Sequence, residues 1–291
     1  MKTYFVCSDI HGFYKEWMKS LKEAGFNKKN PEHILIVLGD IFDRGNKPWK
    51  VYKFLTSLPN ERVILIKGNH EYLLLELVKR KFCYQYDVSN GTYLTLTCLY
   101  KDPNKVKYEW LLKNKDKFDS GSYELYSRSQ WVFRQAYRKL FNNKKINEIM
   151  EWINSPRWLH YYELGKYIFV HSFIPLKSPN DDGVGEYVSD WRETATDEMW
   201  YSALWGCPYK VYQAGCFKEE EKKGKILVCG HWHTSDFYNK LLYPHEKEKW
   251  LDVRNDNPIF KSELFPGLIG IDACTALTKK VNILVISEGN Q

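Results

Sequence analysis

Four short apolar runs in this chain stop at residues able to hold a metal or carry a proton, and that recurrence restricts the fold more than any other feature. The clearest run is Ile34-Leu35-Ile36-Val37-Leu38, followed at once by Gly39-Asp40-Ile41-Phe42-Asp43-Arg44-Gly45. A β-branched run ending in Gly-Asp reads as a buried strand that delivers a carboxylate to its carboxyl end, where open α/β sheets build their sites. The other three runs deliver Asp9-Ile10-His11, Gly68-Asn69-His70-Glu71 and Gly230-His231-Trp232-His233. A further run, Tyr167-Ile168-Phe169-Val170, leads into His171. Each residue alone has a bland explanation: Gly-Asp is a common turn, Asp43 a helix cap, Arg44 a surface ion pair. Five of the eight His fall at such strand ends, whereas His33, His160 and His245 do not, and chance explains that poorly.

Residues 1–80 read as β-α-β-α-β-α. Strands run at Tyr4 to Ser8, up to Leu38, and over Val63-Ile64-Leu65-Ile66. Helices run at Phe13 to Ala24, from Pro48 onward, and over Leu73 to Val78. The pattern implies parallel strands with chemistry at the three βα junctions. Residues 81–165 are Tyr-, Lys- and Asn-rich and read as a helical insertion covering one side of the sheet. Its helical stretches fall near Tyr108–Lys117, Gln130–Phe141 and Ile146–Ile153. Strands return at Tyr167 and at Lys225-Ile226-Leu227-Val228-Cys229. Two late runs, Leu268 to Asp272 and Val281 to Ile286, read as a terminal hairpin. The expectation is an α/β fold in a single domain, 1–291, with the insertion at about 81–165.

Composition narrows the class. At 291 residues, 44% hydrophobic and 27% charged, the chain is neither fibrous nor disordered. No apolar run is long enough for a membrane span, and Met1 to Asp9 reads as a first strand rather than a signal peptide. Seven Cys without a Cys-x-x-Cys pair suggest reduced thiols and a cytoplasmic location. The net charge of +7 is interleaved, as in Glu219-Glu220-Glu221-Lys222-Lys223, which favours anionic substrates over nucleic acid.

Asp9, His11, Asp40, Asn69, His171, His231 and His233 offer carboxylate, imidazole and amide donors that suit Mn, Fe or Zn, enough for two ions. Asp40, on the central-looking strand, is the natural bridge. Two ions about 3.5–4 Å apart share a hydroxide, lower its pKa from about 15.7 toward ~7, and hold a phosphate for in-line attack. Asn69 binds metal while His70, one residue on, points elsewhere and protonates the leaving oxygen. Asp43 can hold that imidazole's other N–H and favour its charged form, and Arg44 offers a planar fork to phosphate oxygens.

In this order and density the motifs resemble the calcineurin-like metallophosphoesterase superfamily. The pair Asp43-Arg44 and the run Asn69-His70-Glu71 look like its phosphoprotein phosphatase branch, nearest to bacterial and phage serine/threonine phosphatases of the bacteriophage lambda type. The resemblance covers residues 1–80 and 165–285 well and 81–165 loosely. It implies a two-sheet β-sandwich flanked by helices in four layers, with the dimetal site at the sheet edge. It also implies one metal on Asp9, His11 and Asp40, a second on Asp40, Asn69, His171 and His231, His70 with Asp43 as the acid pair, and Arg44 on phosphate. Three departures stand out. Gly230-His231-Trp232-His233 carries the wider superfamily's second His, which puts His233 on the first metal. Ser172-Phe173 replaces the small residues usual after His171. The loop Leu204-Trp205-Gly206-Cys207 lacks the branch's second phosphate-binding Arg, for which Arg192 is the nearby candidate.

The leading expectation is therefore a two-metal (Mn, Fe or Zn) phosphomonoesterase acting on phosphoserine or phosphothreonine in proteins or peptides, and on small aryl phosphates. The alternative is symmetrical hydrolysis of diadenosine tetraphosphate, for which aromatic loops at 184–209 would stack adenines. A dead scaffold used for binding requires missing ligands, and none is missing. Membrane and nucleic-acid partners are not expected.

Overall fold

The computed structural model describes residues 1–80, 84–100 and 143–290. The strands are β1 (Thr3–Cys7), β2 (His33–Val37), β3 (Val63–Ile66), β4 (Trp158–Leu159), β5 (Tyr161–Leu164), β6 (Tyr167–Val170), β7 (Leu176–Lys177), β8 (Glu186–Tyr187), β9 (Ile226–His233), β10 (Phe260–Ser262), β11 (Phe265–Asp272) and β12 (Leu284–Ser287). They form two five-stranded sheets, ordered β12-β1-β2-β3-β4 and β10-β11-β9-β6-β5, and a small β7-β8 ribbon. Strands β1 to β4 are mutually parallel, as are β6, β9 and β11 at the centre of the second sheet, and β12, β5 and β10 run antiparallel at the edges.

Alternation along each strand sorts side chains into layers. Tyr4, Val6, Ile34 and Ile36 point between the sheets, where they meet Phe169, Val228, Ile269 and Ile271. Their neighbours Phe5, Cys7, Leu35 and Val37 point outward onto helices α1 (Tyr14–Glu23), α2 (Pro48–Leu55) and α3 (Asn69–Arg80), through Trp17, Leu21, Val51, Leu55, Leu74 and Leu77. On the far side Ile168, Val170, Leu227 and Leu268 meet Trp191, Trp200 and Phe217. Both faces of each central strand are thus dry, which is why the sequence shows unbroken apolar runs there. The result is the four-layer α/β sandwich.

Within the expected insertion, α4 (Gln85–Ser89), α5 (Thr92–Tyr100) and α6 (Lys144–Ile153) are helical. The last of these contains the expected stretch Ile146–Ile153, while Tyr108–Lys117 and Gln130–Phe141 lie outside the described residues. Tyr93, Leu96, Leu99, Ile149 and Trp152 pack onto the first sheet's outer core. Among the described residues no helix is long and apolar enough to cross a membrane.

The terminal hairpin does not form. β11 pairs in parallel with β9 in the second sheet, and β12 pairs with β1 in the first. Between them Cys274 and Lys279 adopt left-handed backbone at φ 53° and 57°, either side of a helical turn at Thr275–Thr278, and steer the chain from one sheet to the other.

Arg192 also departs from expectation. Its guanidinium forks onto Glu220, Nη1 to Oε1 at 3.0 Å and Nη2 to Oε2 at 2.9 Å, and its Nε donates to Glu163 at 2.5 Å. Three of its N–H groups are thus held in an ion-pair network with Glu163 and Glu220. Glu220 is wholly buried and also accepts from Tyr187, Trp191 and Lys223. Burial alone would raise its carboxyl, but Arg192 foremost, with these donors, holds it down at about 2 against an ordinary 4.5. A depressed carboxyl contributes stability above its unfolded pKa and loses it as pH falls through the folded value. We expect about 3 kcal/mol to disappear between roughly pH 4.5 and 2. Urea unfolding of parent and Glu220→Gln across that range checks it: the variant is less stable at pH 7 and lacks this acid-dependent slope.

Candidate metal centre

The carboxyl ends of β1, β2, β3, β6 and β9 meet at one edge, and the predicted residues converge there. Asp9, His11, Asp40, Asn69, His70 and His171 are all buried to 3% exposure or less. The backbone is bent to deliver them. Asp9, His11, Asp40, Asp43, Arg44 and His231 have φ between 48° and 70°, a left-handed conformation that costs non-glycine residues about 1–3 kcal/mol each. The turns also pack too closely for side chains. A Cβ on Gly39 would lie 2.5 Å from the Gly68 nitrogen, and one on Gly68 would lie 2.2 Å from Asp40 Oδ1.

Backbone carbonyls fix two of the imidazoles. His11 Nδ1–H donates to the Phe42 carbonyl at 2.8 Å and His171 Nδ1–H to the Leu38 carbonyl at 2.7 Å, so both present an Nε2 lone pair inward. Asp40 stands between them: Oδ2 is 3.9 Å from His11 Nε2 and Oδ1 is 3.5 Å from His171 Nε2. Asp9 Oδ1 is 3.8 Å from His11 Nε2, and its Oδ2 accepts the His231 N–H at 3.0 Å. On the other side, His171 Nε2 is 2.8 Å from Asn69 Oδ1 and 3.2 Å from His231 Nδ1. Lone pairs crowded this closely, with the ring proton of His171 spent on a carbonyl, are a donor set for a cation. Two groups of potential ligand atoms, His11–Asp40–His70 and Asp40–His171–His231, each lie within 4.8 Å and share Asp40. These residues fit a pair of metal ions with one bridging carboxylate.

His70 belongs to a second arrangement. Its Nδ1–H donates to Asp43 Oδ2 at 2.7 Å, and its Nε2 faces Asp40 Oδ2 at 3.8 Å. Burial works against its charged form, yet Asp40 and then Asp43 outweigh that and raise its pKa above 6.5. Burial first, then Arg44, drives His11 well below that value, and burial with His171 does the same to His231. Neutral imidazoles are the metal-ligating form. Arg44 is exposed at the mouth, its Nη1 donating to His11 Nε2 at 2.7 Å and its Nη2 lying 3.1 Å from His70 Nε2. His233 stands at the rim, about one third exposed, with Nε2 3.9 Å from Asp272 Oδ2.

Several residues with no assigned role hold the site. Glu71 is buried and accepts the backbone N–H groups of Asp40, Ile41 and Gly68 at 2.9–3.0 Å, tying the β2 turn to the start of α3. That helix begins at Asn69, four residues earlier than the apolar pattern indicates, so its first turn lies in the site, with the His70 N–H on Asp40 Oδ1 at 2.9 Å. From the insertion, Thr92 and Thr95 donate to Asp43 Oδ2 and Oδ1 at 2.8 and 2.9 Å, and Gly91 packs against the Arg44 backbone. Asp272 ends β11, beside His233. Its signal, an apolar run closing on an acid, is the one that reveals Asp40. Thr92 and Thr95 carry no such signal.

This sandwich, with paired acid and histidine clusters bridged by one Asp at the edge of its sheets, defines a dinuclear metal-binding α/β scaffold. Residues 2–235 match the family model described as calcineurin-like phosphoesterase, and the chain belongs to that family. A symmetrical bis(5'-nucleosyl)-tetraphosphatase of Buchnera aphidicola subsp. Acyrthosiphon pisum (strain 5A) is 43% identical over 75 residues, 26% of each chain. An asymmetrical bis(5'-nucleosyl)-tetraphosphatase, PrpE of Bacillus subtilis (strain 168), is 30% identical over 118 residues, 38% of this chain and 48% of the relative. The chain thus spans about a quarter to a half of the length of these curated relatives. A cold-active protein-tyrosine phosphatase of a psychrophilic Shewanella sp. shares the fold, with TM-score 0.54 and 14% identity over 99% of this chain and 76% of the other.

Proposed function

We propose that the protein is a two-metal phosphoester hydrolase whose substrate is a dinucleoside polyphosphate rather than a phosphoprotein. The observation that carries the hydrolase reading is Asp40, with one carboxylate oxygen toward His11 and the other toward His171. In this reading Asp9, His11 and Asp40 hold one ion, with His233 at its rim, and Asp40, Asn69, His171 and His231 hold the other. Mn is the first candidate, with Fe or Zn possible in its place. When bound, such ions bring the pKa of water toward ~7 and offset charge developing on phosphoryl oxygens.

The chain's own groups do the rest. Arg44 turns its fork from the imidazoles to the phosphate and fixes its orientation. His70, charged through Asp40 and Asp43, gives its Nε2 proton to the leaving oxygen. Thr92 and Thr95 keep Asp43 from turning away. The substrate class rests on the curated relatives' names, and on the engagement of Arg192, the expected stand-in for the protein-phosphatase branch's second phosphate-binding Arg, with Glu163 and Glu220.

The test is a panel of diadenosine tetraphosphate, a phosphoserine peptide and p-nitrophenyl phosphate, with and without Mn²⁺. We expect metal-dependent turnover with the highest kcat/KM on the dinucleotide. Preference for the phosphopeptide would overturn the substrate class, and inertness of the Mn²⁺-loaded protein on all three would overturn the hydrolase.

A further inference from the structure

We propose that the cleft between α3 and the helix Asp197–Ala203 is a nucleoside subsite that stacks one base of the substrate on Tyr201, with Trp205 between it and the metal centre. This rests on the dinucleoside polyphosphate reading and adds where the base goes.

The cleft is open to solvent and offers about 650 Å³, with Lys67, Tyr72, Glu76, His160, Asp197 and Tyr201 among its lining residues. A row of rings leads to it from the metal centre. Trp205 stands edge-on to His231 with ring centres 6.5 Å apart, Tyr201 follows at 6.2 Å, and Tyr72 at 5.5 Å from Tyr201. Nearby Trp191 and Trp200 are buried at 0% and 6% exposure and serve the core, whereas Tyr201 and Trp205 are each 38% exposed. Rings left open to water beside a charged site contribute little to folding, but they give a base a flat face.

The loop carrying Trp205 is held in register with the site. Ser172, directly after His171, donates its hydroxyl to the Gly206 carbonyl at 2.6 Å.

Charge sorts the two ends of a substrate. The cleft's acids, Glu76, Asp197 and Glu198, outnumber its one Lys, so it repels a polyphosphate. Carboxylates accept from ribose hydroxyls and from an exocyclic amine. The phosphates therefore lie toward Arg44 and the nucleoside toward Tyr201. A peptide with basic flanks would also suit the acids, but the curated relatives' names favour the nucleoside.

The experiment compares parent, Tyr201→Ala and Tyr201→Phe by kinetics on diadenosine tetraphosphate, p-nitrophenyl phosphate and an Arg-flanked phosphopeptide. A parallel titration with adenosine monophosphate uses tryptophan fluorescence. For Tyr201→Ala we expect kcat/KM on the dinucleotide to fall about 10- to 100-fold through KM, the loss of one stacked base. The Phe variant should recover it, and p-nitrophenyl phosphate turnover should not change. Unchanged dinucleotide kinetics, equal losses on p-nitrophenyl phosphate, or a loss confined to the phosphopeptide would each overturn the subsite. The titration separates the two readings. If the parent binds the mononucleotide through Tyr201 but does not cleave the dinucleotide, the cleft stands and the proposed reaction fails. If binding is indifferent to Tyr201, the cleft fails whatever the reaction.

Discussion

Replacing Asp40 by Asn should leave a folded protein that holds one Mn²⁺ instead of two and turns over p-nitrophenyl phosphate at least about 10³-fold more slowly, a loss at or beyond that of a single oxyanion donor. Asp40 Oδ1 accepts the His70 N–H, so an Asn side chain keeps its oxygen on that side, near His171. Its amide nitrogen then takes the place of Oδ2 and turns two donor hydrogens toward the lone pair of His11. The His11 ion should be lost first. Folding should not suffer, because Asn matches the carboxyl in size and its oxygen keeps the bond from the His70 N–H. Metal content per chain, measured beside a thermal melt, decides the matter. A variant that retains both ions at full occupancy shows that Asp40 is not the bridge.

His70→Asn should separate substrates by their leaving groups. A proton donor contributes about 10²–10⁴ to rate where the departing oxygen would otherwise leave as a poor anion. A phosphoserine ester releases an alkoxide and should show that full loss, while p-nitrophenolate and a nucleotide phosphate leave readily and should show far less. The double variant Thr92→Val, Thr95→Val removes both hydroxyls from Asp43 and should reproduce the same ranking in weaker form. A uniform loss across all three leaving groups would mean that His70 holds phosphate or metal and does not deliver a proton.

The site's donors could be read from the chain because each closes an apolar strand, and parallel strands in one sheet must finish at a common edge. His11, Asp40 and His70 needed only that rule, whereas His171 closes β6 in the facing sheet and joins them only once the two sheets are stacked. The supports were hidden for the opposite reason. Thr92 lies 49 positions from Asp43, and nothing in its neighbourhood distinguishes it from a helix-surface Thr. Glu71 stood in the run Asn69-His70-Glu71 without a role, although it satisfies three backbone donors from two loops. Arg192 was misjudged because local sequence cannot show that a buried Glu, 28 positions on, claims its guanidinium. The supposed hairpin failed similarly: two adjacent apolar runs satisfy hairpin spacing, but partner choice belongs to the whole sandwich.

The pairing of β12 with β1 has a consequence for biosynthesis. Thr3 lies opposite Ser287, and the Lys2 N–H reaches Glu288 across 286 positions of chain. β1 therefore waits for this neighbour while the residues between the two strands are made, roughly 15–60 s at ordinary elongation rates. Throughout that interval the outer edge of β1 lacks the β12 pairing it has in the fold, and a nascent polypeptide in this state is a natural client for chaperones that shield strand edges.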